Sequence, residues 1–386
     1  VQVVRRCLDT ADLLAAAATG LGRAAVVGSD APRLDADVLR RLADAGVPVV
    51  GIVPADDAEA AARLARWGAA AVVEIDPAEL GAAVRAVARA VRAAPGHEPA
   101  APAPTPDRAL GSVVAVWGTP GAPGRTTVAA ALADEAARLG VTALLVDADT
   151  WAPSASFVLG VVDDGPGLAS ACRRAASGAL DGPALTALAR QLRPGLSLLP
   201  GIPRAGRWSE VRAAALSEVL ATARSLAPLV VVDVAAPLES DEELVFDTAA
   251  PRRNAAALVT LEEADAVVAV GAADPLGMAR LVHGLAELRD AARAQEPYVV
   301  VNRLRSSAAG RRAQAAVAEA LRVHAGVDRA WCIPDDGPAL DAALRRGRAL
   351  ADVAPASPAR HALRGLAVEL LRDLGLRRPA PIAAGE

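Results

Sequence analysis

Three short stretches carry side chains whose types and spacing suit chemistry. The first is Gly118-Thr-Pro-Gly-Ala-Pro-Gly-Arg-Thr-Thr127, between the apolar run Ser112–Trp117 and the helical pattern VAAALADEAARLG. A strand, a glycine-rich turn and a helix start make a cradle for an anion. Backbone N–H groups converge there, and the helix dipole adds partial positive charge. Gly121 and Gly124 allow close backbone approach. Thr126 stands where a hydroxyl can ligate Mg2+. The second stretch, Leu144–Asp149, is an apolar strand ending in Asp147 and Asp149. Residues two apart on a strand share a face, so both carboxylates can address one metal–water cluster. The third, Leu229-Val-Val-Val-Asp233, is another apolar strand ending in an acid. Acids at the C-terminal ends of parallel strands lie where ligands bind. Each feature alone is also consistent with a plain βα turn or a loop cap. The ordered set of three reads as a nucleotide–Mg2+ site.

The elements that must position these residues follow from the apolar pattern. Strand-like runs alternate with helical ones along most of the chain, which implies βαβ units and a parallel sheet. The segment 92–110, RAAPGHEPAAPAPTPDRAL, has no apolar periodicity and reads as a semi-extended linker. The division expected is 1–93, a linker 94–110, a main domain 111–378 and a tail 379–386. In the first part, strands are expected at Val1–Val4, Ala24–Val27, Val47–Val53 and Ala70–Val73. Helices are expected at Thr10–Ala18, Asp35–Ala45, Asp57–Trp67 and Pro77–Ala93.

Composition bounds the function. The 386 residues include 41 cations, all of them arginine, against 45 acids, giving a formal net charge of −4. No global basic field favours nucleic acid. An apolar share of 53% excludes a disordered chain. Cys7, Cys172 and Cys332 lie far apart, which excludes a disulfide framework and fits a reducing cytoplasm. His97, His283, His324 and His361 show no ligand spacing. No uninterrupted apolar run marks a membrane span. The sequence starts at Val1 rather than Met, so the first domain is expected to lack its first strand.

That first domain resembles a response-regulator receiver. The resemblance rests on Ala24-Ala-Val-Val-Gly-Ser-Asp-Ala-Pro, Pro48-Val-Val-Gly-Ile-Val-Pro and Gly68-Ala-Ala-Ala-Val-Val-Glu. The receiver's phosphorylated aspartate would fall on Gly28, its lysine on Asp76 and its switch hydroxyl on Val53. All three chemical positions are empty, and Asp30 reads as a turn cap. The expectation is a pseudo-receiver that docks partners.

The stretch 113–375 resembles the MinD/ParA family of deviant P-loop ATPases, most of all its CpaE/TadZ branch, associated with pilus assembly. The resemblance implies a doubly flanked α/β fold, bound ATP and Mg2+, and an ATP-dependent homodimer. It assigns the nucleotide to Gly118, Pro120, Gly121, Ala122, Pro123, Gly124, Arg125, Thr126 and Thr127. Asn302 would contact adenine, or else cap a strand end, and Pro334 lies in a late turn near the base. Thr126, Asp147 and Asp233 would serve the metal, Asp149 would orient the attacking water, and Arg125 would meet the phosphates. Two departures stand out. The family's first loop lysine, which reaches across the dimer, falls on Pro120, which carries no charge. The P-loop lysine falls on Arg125, a planar fork in place of a point cation. Nucleotide binding is therefore expected to outlast efficient turnover. A cycling ATPase in septum placement or partition, and a scaffold without hydrolysis, remain open beside a cytoplasmic regulator of a pilus or secretion apparatus recruited to membrane or cell pole.

Four loop arginines, Arg204, Arg207, Arg252 and Arg253, could substitute for the missing loop cation, with solvated charges the preferred reading. Between Arg345 and Arg378 eight arginines face three acids, and Leu363, Leu366, Leu370 and Leu374 recur at helical spacing. A basic amphipathic helix can lie on anionic lipid. A final helix packed on the sheet is the preferred reading of this stripe.

Overall fold

The computed structural model describes residues 3–75 apart from 21 and 33, positions 85, 88, 89 and 91, and 110–376 apart from 122, 163–164, 240–250 and 292–295. The expected helix over 77–93 falls almost wholly outside the described residues, as do the linker 94–109, Asp76, Ala122 and the tail.

The N-terminal unit runs α1 (Thr10–Ala18), β1 (Ala25–Gly28), α2 (Ala36–Asp44), β2 (Val49–Pro54), α3 (Ala58–Arg66) and β3 (Ala71–Ile75). Each helix starts on an aspartate that accepts a backbone N–H: Asp9, Asp35 and Asp57. An aspartate oxygen there satisfies an amide that the helix cannot. The three strands are parallel, in the order β1-β2-β3. The expected strand at Val1–Val4 is not formed by Val3 and Val4, which are exposed coil. Arg5 pairs with Asp12 and ties this segment to α1 instead of the free edge of β1.

The larger unit contains β4 (Ser112–Gly118), α4 (Arg125–Arg138), β5 (Ala143–Ala148), α5 (Gly167–Ala176), α6 (Gly182–Leu188), β6 (Arg190–Arg193) and β7 (Leu196–Leu199). It continues with α7 (Ala213–Leu226), β8 (Leu229–Val234), α8 (Ala255–Glu263), β9 (Ala266–Ala272), α9 (Pro275–Ala291), β10 (Tyr298–Leu304), α10 (Ala313–Ala325), β11 (Ala330–Pro334), α11 (Gly337–Arg346) and α12 (Pro358–Asp373). Eight strands order as β11-β10-β9-β4-β8-β5-β7-β6. All neighbours are parallel except β6 and β7.

A parallel sheet is covered on both faces, so its strands read as unbroken apolar runs. Along β4, Val113, Ala115 and Trp117 enter one core, with Leu281 and Leu285 of α9. Val114 and Val116 enter the other, with Val128 and Leu132 of α4 and Leu363 and Leu366 of α12. The leucine stripe of the last helix is thus buried in the core. Arg360 and Arg364 of α12 both bind Glu135 of α4, at 2.7 and 2.9 Å. No helix among the described residues is long and apolar enough to cross a membrane.

The two units meet through helix ends. Asp37 of α2 accepts the backbone N–H of Ala214 at 2.8 Å, capping α7 from outside its own unit. Arg212, which starts α7, pairs with Asp35. Arg66 donates to the Gly178 carbonyl at 2.8 Å.

Candidate nucleotide site

The sheet order reverses around β4, which lies between β8 and β9 although β5 and β8 follow it in sequence. The carboxyl ends of strands beside such a reversal form a ligand crevice. Gly118 ends β4 there, and Asp147 stands in register with Asp233 near the ends of β5 and β8. Asn302 lies near the end of β10.

The turn after β4 depends on its glycines. Gly121 and Gly124 have φ of 104° and 100°, a region in which a side chain is strained. A Cβ at Gly118 would meet the Val270 carbonyl oxygen at 2.4 Å. Gly124 starts α4, and no side chain caps that helix. Its first backbone N–H groups are therefore available to an anion.

Thr126, in the first turn of α4, donates to Asp233 Oδ2 at 2.5 Å, and Ser154 Oγ lies 3.1 Å from the same hydroxyl. Asp233 is fully buried, and its Oδ1 has no partner among the described residues. A buried carboxylate oxygen without a donor is uncommon. Burial, then the facing Asp147 carboxylate, holds the Asp233 pKa well above the ordinary range. Hard oxygen donors at one sheet end fit Mg2+, which keeps waters and takes only one or two protein ligands. The residues that fit it are Thr126 and Asp233.

Asp147 is engaged differently. Its Oδ2 accepts from Ser154 N and Ala155 N, both at 2.9 Å, and its Oδ1 from Asp149 N at 3.3 Å. It braces the loop after β5. Burial, opposed by these amides and assisted by the Asp149 charge, pushes its pKa up to about 7. Asp149 Oδ1 accepts from Trp151 N and Ala152 N at 2.8 and 2.9 Å. Its Oδ2 takes Arg125 Nη2 at 3.0 Å. Arg125 also donates to the Gly118 carbonyl at 3.1 Å, and its buried Nε has no partner among the described residues. The cation expected at the phosphates is thus paired with the acid expected at the water.

Asn302 Nδ2 donates to the Pro123 carbonyl at 2.7 Å, and its Oδ1 accepts from Arg303 N. It braces the loop from β10. Arg303 follows at φ 57°, at an irregularity in the β10–β11 pairing. Pro120 is exposed, Pro123 buried and Thr127 half-buried. Pro334 pairs in register with Leu304 at the β10 edge.

Some participants were not expected from sequence. Arg253, read as a solvated charge, stacks over Trp151 at 4.1 Å and Trp208 at 5.2 Å. The aromatic faces hold the cation between the loops that follow β5 and β7. Trp151 also donates to Asn254 at 3.1 Å. Arg280 of α9 reaches the loop at Pro120. Only aromatic character hints at the stack in sequence, and nothing marks Ser154; Arg280 lies on the helical run Pro275–Arg289, which follows a turn, Gly271–Gly277, that resembles the family's turn beside the nucleotide. At the receiver-like positions, Gly28 lies under Asp30 and Val53 is fully buried. A cavity of 1190 Å³ lies beside β1 and residues 3–10, away from the loop chemistry.

Among solved structures, the chain is similar to a ParA family ATPase from Chlorobium tepidum TLS, at 18% identity and a TM-score of 0.55. That match covers 67% of this chain and 98% of the other. It is also similar to the septum site-determining protein MinD complexed with Mg-ADP from Pyrococcus horikoshii OT3, at 20% identity and a TM-score of 0.53, covering 70% and 100%. The fold is that of the ParA and MinD ATPases. A third structure with this fold, a variant of McdA from Cyanothece in complex with ATP, matches at 16% identity and a TM-score of 0.52, covering 71% and 100%. No protein-family model and no curated protein matches the sequence.

Proposed function

We propose that this chain is an ATP-binding protein of the ParA/MinD type, with slow hydrolysis, that dimerises with ATP. The observation that carries the reading is the Thr126–Asp233 contact of 2.5 Å at an uncapped helix start, beside a buried carboxylate oxygen without a partner. The loop amides would hold the polyphosphate, and Thr126 and Asp233 would hold Mg2+. The ion, when bound, draws charge from the phosphate oxygens. Asn302 keeps the loop in shape through Pro123.

Slow turnover follows from two features. Pro120 brings no cation, and Arg125 must leave Asp149 before either group serves the reaction. Charge stabilisation by such cations is worth roughly 10³–10⁵ in rate. Steady-state ATP turnover is expected far below ~10 s⁻¹, a typical enzyme rate. A rate near that figure would sink the reading of weak hydrolysis.

The place of action is a pilus or secretion apparatus. Support comes from the N-terminal α/β unit, whose receiver-like positions carry Gly28 and Val53 in place of reactive groups, set on the ATPase-like unit through Asp37 and Asp35. That unit would engage the machinery while the nucleotide governs dimerisation. Loss of assembled pili on deletion of the gene, restored by the full chain but not by 111–386, is the expected result. Unchanged piliation would count against it.

A further inference from the structure

Arg280, in the first half of α9, faces the strand-side edge of the glycine loop. It projects from α9, and its Nη1 is 3.4 Å from the Pro120 carbonyl oxygen. The same Nη1 is 2.4 Å from the point that a Cβ on Gly121 would occupy. The bare glycine is what lets the guanidinium lie against the loop. A guanidinium carries five N–H donors, and this one forms no ion pair with an acid among the described residues.

The cations around the loop are unequally engaged. Arg125, on the helix side, is held by Asp149 and by the Gly118 carbonyl. Pro120, on the strand side, has no charge to offer. Arg280 is exposed and brings positive charge to that side from a helix 160 residues away in sequence. Its helix is fixed by close contacts: Gly284 would clash with Thr119 and Trp117 if it carried a Cβ, and Leu281 and Leu285 are buried. The backbone that presents Arg280 is therefore set by the core, while its side chain remains free to turn.

We propose that Arg280 is a phosphate-binding residue of this loop, holding the phosphates of its own chain's nucleotide; it does not replace the charge that Pro120 lacks across the dimer. The proposal rests on the ATP-binding reading of the site. A charge-assisted hydrogen bond to phosphate is among the stronger polar contacts, and an arginine can make two at once.

The test is the affinity for a fluorescent ATP analogue with Mg2+, measured by anisotropy on the full chain and on Arg280→Ala, Arg280→Lys and Arg322→Ala. Arg322 is an exposed arginine on α10, paired with Glu319, and serves as the control for net charge. Arg280→Ala should weaken binding about tenfold or more. Arg280→Lys should recover part of the loss, and Arg322→Ala should stay within about twofold. Melting without nucleotide should be the same for Arg280→Ala and the parent, because the side chain is exposed. Parent-like affinity in Arg280→Ala overturns this proposal and leaves the ATP reading standing. Equal weakening in Arg280→Ala and Arg322→Ala also overturns it. A parent chain that binds no nucleotide removes both.

Discussion

Asp233 sits where two demands meet. It is fully buried, it accepts from Thr126 through one oxygen, and its other oxygen has no partner among the described residues. Thr126→Ala removes the described donor to this carboxylate and a metal-ligand candidate together. Mg2+-dependent ATP affinity is expected to fall more than about tenfold, read by titration with and without the metal. The pH response has a definite sign. Burial raises the pKa of Asp233 and lifts that of Asp147 to about 7, from a starting value of 3.8. Between those values the folded chain binds more protons than the unfolded chain, so stability falls as pH rises through the window. Asp233→Asn removes one such group and keeps an oxygen for Thr126. The melting temperature of the nucleotide-free variant should decline less between about pH 5 and about pH 8 than that of the parent; parallel profiles would contradict this. At this scale the sequence showed which groups were present but not how they pair. Arg125 and Asp149 are 24 residues apart, and their contact exists only once β4 and β5 flank β8.

Helix α4 has two tasks. Its start presents Thr126 and the loop amides, and its body is fixed to α12. Glu135, only 2% exposed, takes both Arg360 and Arg364. Removing Glu135 costs two charge-assisted hydrogen bonds and leaves two arginines that reach water, one of them 40% exposed. Glu135→Ala should destabilise the larger unit by about 2 kcal/mol, read from the urea midpoint, whereas a change within about 0.5 kcal/mol, usual for surface sites, would show the clamp to be idle. Elements were the most legible level. The helix Thr10–Ala18 forms over the expected residues, because Asp9 caps it and its apolar face is continuous. The strands ending at Gly118, Ala148 and Val234 follow their unbroken apolar runs. Val3 and Val4 misled because an apolar run needs a partner strand, and Arg5 is drawn to Asp12 instead. The last helix read ambiguously, since a leucine stripe suits lipid and core alike; Leu363 and Leu366 enter the core.

Over the whole molecule, strand order explains why distant residues converge. The position of β4 between β8 and β9 brings the loop, Asp233 and α9 to one sheet end. Arg280 and Asn302 reach the same loop from elements far along the sequence. Such convergence follows from topology, which local pattern cannot reveal. The N-terminal unit is fastened through Asp37 and Arg212 to α7, the helix that leads into β8. The absence of lysine leaves all cationic chemistry to arginine, with Arg125 tied to Asp149 and Arg280 at the loop edge. On the function proposed above, this loop holds ATP through Mg2+. That binding is tested most directly by calorimetric titration of the full chain with ATP, with and without the metal. Saturable binding at about micromolar Kd, about −8 kcal/mol, lost when Mg2+ is chelated, is the predicted result. No heat of binding at about millimolar ATP with Mg2+ present would contradict it.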